Sequence, residues 1–208
     1  MYQATQKGLP GAEGRIRRHA ARRFAKPPRP AFPLLLILFL FFQVQAILPF
    51  SAEAAMSAEE YRVKAAFILN FAGFADWPDS ALPDGIFTIG ILGSDPFEGA
   101  MDALNGKSVK GRKVRVRRYN DAEDARGVDI LYISPSEKRA LPAILRTLRN
   151  RPILTVGDHP GFAQAGVMIN MVVIKKRVRF EINNHTAQQS GIRISSQLMK
   201  LAKEVIDQ

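Results

Sequence analysis

From Lys64 to Pro78 the chain reads KAAFILNFAGFADWP, apolar at nearly every position and spaced as in a helix. Val63, Phe67, Phe71 and Phe74 form one stripe, and Ala65, Ile68, Ala72 and Ala75 widen it beyond what a single sheet face covers. Either protein layers enclose this helix on both sides, or part of its apolar face waits for a partner. The width of the stripe favours partial exposure. Asn70 also argues against full burial, because a buried amide needs hydrogen-bond partners, and Trp77 is the kind of aromatic that anchors interfaces. Asn70, Phe74 and Trp77 are therefore the expected partner-binding residues. Ser57-Ala58-Glu59-Glu60 supplies an N-cap followed by acids, which predicts a helix from about Ser57 to Asp76, stopped by Trp77-Pro78.

Downstream, the pattern turns to short β-rich runs. Phe87 to Leu92 reads as a strand, and Gly93-Ser94-Asp95-Pro96 predicts a capped helix of about Phe97 to Leu104. Val114 and Val116 alternate with Lys113, Arg115 and Arg117, as in a half-buried strand with a charged open face. DILYIS at Asp129 to Ser134 and ILTVG at Ile153 to Gly157 bracket a helical segment, Ser136 to Asn150. Strand, helix, strand at this spacing predicts a βαβ unit with parallel strands.

Val167 to Ile174 and Arg177 to Asn183 are joined only by Lys175-Lys176, which forces an antiparallel hairpin. A helical piece around His185 to Ser190 ends at Gly191. Leu198, Leu201, Ala202 and Val205 then fall on one face of an expected last helix, Ser195 to Ile206. The fold class expected is α/β: one three-layer domain, with a mixed sheet containing a βαβ unit and a C-terminal antiparallel hairpin, and helices packed on the sheet.

The front of the chain has a different character. Arg15, Arg17, Arg18, Arg22, Arg23, Lys26 and Arg29 precede an apolar stretch, Pro33 to Phe42, and Ala52-Glu53-Ala54 supplies small residues at a cut site. Basic, apolar and small residues in that order describe a secretory signal peptide, with residues 1–54 removed after Ala54 and 55–208 forming the mature domain. The alternative is a retained anchor, since Ala31 to Phe50 spans about twenty residues with only Gln43 and Gln45 interrupting it.

The leader changes the charge argument. The whole chain of 208 residues has 30 Lys and Arg against 19 Asp and Glu. Residues 1–54 hold eight of the former and two of the latter, leaving 22 against 17, a net +5 rather than +11. Nucleic acid is therefore not an expected partner. The chain has no cysteine, so an exported domain of this sequence relies on its hydrophobic core, and thiol catalysis and Cys-ligated metal are excluded.

Little catalytic chemistry is on offer. His159 and His185 are too few and too badly spaced for a zinc site, and no nucleophile elbow, P-loop or dinucleotide fingerprint occurs. His159 beside Asp158 sits in a Pro-Gly turn without an evident nucleophile, and Ser94-Asp95 reads as a plain N-cap. No cofactor, metal or catalytic residue is expected. Two constellations remain. Lys107 to Arg118 carries seven cations and no acid: a solvated strand face, or a surface drawn to anionic headgroups or an acidic partner. In RVRFEIN, Arg177 to Asn183, alternation puts Val178, Phe180 and Ile182 on the core side and Arg179 and Glu181 on the other, with Arg193 able to approach. That face is either a surface ion pair or a small polar pocket.

The ordered motifs NFAGFADWP, SDPFEG, LNGKSVKGRKVRV, DILYIS, ILTVGD, MINMV, RVRFEIN and GIRISSQLMKLA make the chain resemble the YfiR-like family of periplasmic regulators, from about Tyr61 to Val205. The resemblance implies a non-enzymatic exported α/β protein. The best-known members hold an inner-membrane diguanylate cyclase inactive by binding its periplasmic region, so that cyclic di-GMP synthesis and biofilm formation stay low. It also implies a possible homodimer and a small anionic or zwitterionic ligand held at the positions matching Glu181, Arg193 and Arg179. The well-known members use disulfides, so redox sensing of that kind does not carry over to this cysteine-free chain. The expected function is a periplasmic repressor of a membrane diguanylate cyclase, or a regulator of a sensor kinase, with a solute-binding sensor module as the alternative.

Overall fold

The computed structural model describes residues 48–78 and 85–207. The basic run and apolar stretch of the expected leader, Arg15 to Phe42, lie outside them. Helix α1 (Leu48–Phe74) begins well before the expected Ser57 and passes through Ala52-Glu53-Ala54. It ends where β1 (Ala75–Asp76) pairs antiparallel with β9 (Arg193–Ile194). Among the described residues no helix is long and apolar enough to cross a membrane.

The other strands are β2 (Ile86–Leu92), β3 (Ser108–Val109), β4 (Arg112–Tyr119), β5 (Ile130–Ile133), β6 (Leu154–Gly157), β7 (Ile169–Ile174), β8 (Arg177–Asn183) and β10 (Glu204–Ile206). They form a mixed sheet in the order β10-β8-β7-β6-β5-β2-β4-β3. Its centre, from β7 to β4, is parallel, and the expected βαβ unit is present as β5, helix α2 (Leu141–Thr147) and β6. The expected hairpin pairs Ile169 with Ile182 through to Ile174 with Arg177.

Strand alternation divides the core between the two sheet faces. Phe87, Ile89 and Ile91 of β2 and Phe180 and Ile182 of β8 pack with Ile68, Phe71 and Ala72 of α1. On the opposite face Leu92, Leu131 and Ile133 meet Leu141, Ile144 and Leu148 of α2 and Phe162 of the one-turn helix α3 (Phe162–Ala165). Helix, sheet, helix is the three-layer α/β arrangement read from the pattern.

Three elements differ from expectation. The segment 97–104 is turns closed by a 3-10 turn at Asp102–Leu104, because Asp95 Oδ1 accepts the Phe97 amide and starts an Asx turn rather than a helix. Between β5 and β6, Pro135–Glu137 is a separate 3-10 turn and α2 covers only half of the expected span. The last helix stops early. Helix α5 (Ser196–Leu201) gives way to β10, which joins β8 in parallel, with the Lys203 amide donating to Phe180 O. The expected apolar stripe therefore breaks up: Leu198 is buried, Leu201 is 61% exposed and Val205 belongs to a strand. Helix α4 (Asn184–Gln189) is capped by the Asn183 side chain and followed by Gly191, whose φ of 76° lets the chain turn back into β9.

Candidate functional site

The sheet order places a topological switch between β2 and β5: the chain leaves β2 for β4 on one side and then crosses to β5 on the other. In open α/β sheets the crevice at the carboxyl ends of such strands is the usual ligand site. Here side chains fill it. The Ser94 amide donates to Ser136 Oγ at 3.1 Å, and Ser136 Oγ donates to Glu137 Oε1 at 2.9 Å. Gly93, at φ 87°, lies so close that a Cβ there would be 2.5 Å from both side chains. The Ser94 amide, a candidate anion donor, is thus already satisfied.

Beside this plug, under α1, lies a buried polar cluster. Lys64 Nζ is 2.6 Å from Glu60 Oε1 and 2.8 Å from Asp158 Oδ2, and its side chain is 5% exposed. Tyr132 Oη donates to Asp158 Oδ1 at 2.7 Å, and the Tyr61 ring lies 4.4 Å from Lys64 Nζ. Burial first, and then the neighbouring Asp158 charge, push both tyrosine phenols above their ordinary value, so both stay neutral donors. The cluster ties α1 to the carboxyl ends of β5 and β6. Its sequence signal was a lone lysine opening an apolar helical run.

At the other end of the strands Arg112 reaches Asp129 with both terminal nitrogens, at 2.8 and 3.1 Å, and its Nη2 also donates to Ile86 O. Trp77 belongs to this group. Its indole Nε1 donates to Asp129 O at 3.2 Å, its ring meets Phe87 edge to face, and it is 5% exposed. The structure thus puts Trp77 in the core, out of reach of a docking partner. Asn70 is exposed and Phe74 is half-buried on the same helix.

The expected ligand set is distributed differently. Glu181 is buried on β8, where Oε2 accepts from Asn170 Nδ2 at 3.2 Å and Oε1 accepts from Lys203 Nζ at 2.7 Å. Arg179 is exposed two residues nearer the hairpin tip, and Arg193 faces Asp76 across the β1–β9 pair. No hydrogen bond or ion pair links Glu181 to either arginine among the described residues. The pairing read from spacing went to Lys203, which no local spacing connects to Glu181.

The basic segment resolves into two groups. Arg112 is consumed by Asp129, Lys110 by Asp76 at 2.9 Å, and Arg118 by Asp95 and Asp102 at 2.7 to 2.9 Å. Lys113, Arg115 and Arg117 remain exposed on one face of β4. His159 is half-buried, with its ring tilted against Phe162, and no group of three metal-ligating side chains occurs among the described residues.

What α1 leaves uncovered is a strip of small and polar residues. Arg62, Ala66, Asn70 and Gly73 are exposed, flanked by half-buried Phe67, Leu69 and Phe74. A groove of about 440 Å³ runs beside Arg62 and Ala66, walled on its far side by Phe97, Glu98 and Ala103. The opening question is thereby answered: Ile68, Phe71 and Ala72 are fully buried, while the other face of α1 is open.

A YfiR/HmsC-like family model matches residues 61–203, from the middle of α1 to the residue before β10. The chain belongs to the YfiR/HmsC-like family. Two solved structures are similar to part of the YfiR/HmsC-like chain. One is an ABC domain in complex with L-Trp from Streptococcus pneumonia, with TM-score 0.43 and 14% identity, covering 58% of this chain and 55% of that one. The other is a conserved domain protein from Vibrio cholerae O1 biovar El Tor, with TM-score 0.42 and 13% identity, covering 57% and 54%. The chain spans about half the length of each.

Proposed function

We propose that this YfiR/HmsC-like protein is an exported regulator that docks its first helix onto the periplasmic part of an inner-membrane signalling protein, a diguanylate cyclase in the reading the family supports, and holds it inactive. Residues 1–54 serve as the export signal in this reading. The observation that carries it is the half-covered helix: one face of α1 builds the core, while Arg62, Ala66, Asn70 and Gly73 leave a flat, accessible strip edged by Phe67, Leu69 and Phe74. Small residues let a second helix approach closely, and the half-buried rings at the edges can be covered by it. No bond needs to be made or broken. Regulation comes from a difference in affinity for the partner's active and inactive states.

The test is a pair of substitutions on the open strip, Ala66→Arg and Asn70→Arg. Because both side chains are already in solvent, the stability of each variant should stay within about 0.5 kcal/mol of the parent. Cyclic di-GMP in the cell should rise to the level of a deletion strain, and a photo-crosslinker at position 70 should lose its membrane-protein adduct in the Ala66→Arg background. Unchanged cyclic di-GMP in both variants and in the deletion strain refutes the regulatory reading.

A further inference from the structure

The tip of the β7–β8 hairpin has features that neither the fold nor the proposed docking helix uses. Val173 and Ile174 are 45% and 39% exposed, among the most exposed large aliphatics described. They are consecutive in a strand, so they project from opposite faces of the hairpin. Around them Lys175, Lys176, Arg177 and Arg179 are all exposed, and none of the four makes an ion pair among the described residues. The nearest acids are spent elsewhere: Glu59 on Arg62, Glu60 on Lys64, and Glu181 on Lys203. The turn itself is strained. Lys175 and Lys176 hold φ of 49° and 60°, the left-handed values for which a two-residue hairpin normally uses Asn-Gly. Side-chain charge is kept there against backbone preference.

Between the tip and the middle of α1 lies an apolar groove of about 710 Å³, lined by Val63, Phe67, Val173 and Val178 with Lys176 and Arg177 at its rim. Ser57 and Glu59 of α1 line it too. A protein partner lying against one face of the hairpin would leave the other aliphatic in water. A bilayer interface surrounds the tip and takes both. Aliphatic residues enter the headgroup layer while lysine and arginine heads remain at phosphate level, with their stems alongside. Four unpaired cations select a surface with anionic lipid.

We propose that the β7–β8 hairpin tip is a membrane-contact element that seats on an anionic lipid surface, Val173 and Ile174 entering the headgroup layer and Lys175, Lys176, Arg177 and Arg179 pairing with lipid phosphates. The contact goes beyond the docking of α1 and is independent of it. Its role is to hold the domain against the membrane at one fixed edge.

The test expresses the whole gene and purifies the chain as it accumulates in the cell envelope. Co-sedimentation is then measured with vesicles of phosphatidylglycerol and phosphatidylcholine, and with phosphatidylcholine alone. The readout is the ratio of the two partition coefficients, compared between the parent and each tip variant, so that the basic and apolar leader, if retained, contributes equally to both sides of the comparison. The expected ratio is well above one and falls with added salt. Lys175→Glu with Lys176→Glu should lower binding to the anionic vesicles by roughly twentyfold or more. Ile174→Ser should weaken it while leaving the salt dependence in place. Arg115→Glu with Arg117→Glu, at the far side of the sheet, should leave it unchanged, and matched thermal midpoints show that each variant is folded. A ratio near one overturns the proposal. So does a charge-reversed tip that binds as well as the parent, or loss confined to the β4 variant. Capture of polyglutamate by the tip without vesicle binding would assign the surface to an acidic protein partner and overturn the lipid assignment. No signalling partner is present in the assay, so its result stands apart from the fate of the regulatory reading.

Discussion

Lys64 shows how much one side chain can fix. It is the charged residue in an otherwise apolar turn of α1, it is almost wholly buried, and it is answered by Asp158 and Glu60. Removing one member of a buried pair leaves the other desolvated, which typically costs about 3–5 kcal/mol. Lys64→Met should therefore lower the unfolding free energy by that amount, read as a lower urea midpoint with the m-value unchanged. Lys64→Met combined with Asp158→Asn should recover most of the loss, because Asn still accepts the Tyr132 hydroxyl without a stranded charge. Glu60 lies one helical turn before the lysine, but no local spacing connects Lys64 to Asp158, 94 residues away. Glu181 repeats the lesson. Alternation on β8 put it opposite the core face, but the amine that reached it, Lys203, arrives only because β10 joins the sheet edge. Trp77 failed as a surface residue for a related reason: an indole near a helix end suits an interface or a core equally well, and only the Phe87 ring and the Asp129 carbonyl decided between them.

At the scale of elements, what was legible was whatever had short-range causes. The β7–β8 hairpin followed from alternation and a two-residue connection, and β5, α2 and β6 from apolar runs bounded by turns. Where one local signal serves two structures, the pattern misled, as at 97–104, where Gly93-Ser94-Asp95-Pro96 reads as a helix cap but Asp95 closes a turn instead. That loop is held instead by charge. The Arg118 guanidinium, hydrogen-bonded to Asp102, keeps the Asp102 carboxyl below its ordinary value, and Lys110 does the same for Asp76. A carboxyl lowered in the fold contributes stability above its unfolded pKa, about 3.9, and that contribution disappears as pH falls through the folded value. Both groups are exposed, so the effect is local and screened. Titrating the protein to acid should shift the backbone amide resonances of Ala103 and Leu104 before global unfolding, and Asp102→Asn should abolish that step. The hairpin turn gives an element-scale prediction of opposite sign. Lys175→Asn with Lys176→Gly relieves two left-handed lysines and should stabilise the domain by about 1–2 kcal/mol, measured by denaturant titration, while weakening its hold on anionic vesicles.

At the scale of the molecule, the three-layer arrangement was readable because each layer has its own period: alternating strands within, 3.6-residue stripes outside. The edge was not readable, since Glu204–Ile206 becomes a strand only in the presence of β8. That edge and the first helix meet on the same strand. Phe67 and Phe71 of α1 pack against Phe180 of β8, with ring centroids 6.1 and 5.3 Å apart, and Lys203 closes onto the Phe180 carbonyl. A chain ending at Lys176 lacks all of these contacts and should be cut rapidly by protease under conditions that leave the whole chain intact. A polypeptide that emerges start first must therefore leave the Phe67 and Phe71 side of its first helix without its β8 cover until Phe180 follows. Such a protein keeps that side open for most of its emergence and closes it late.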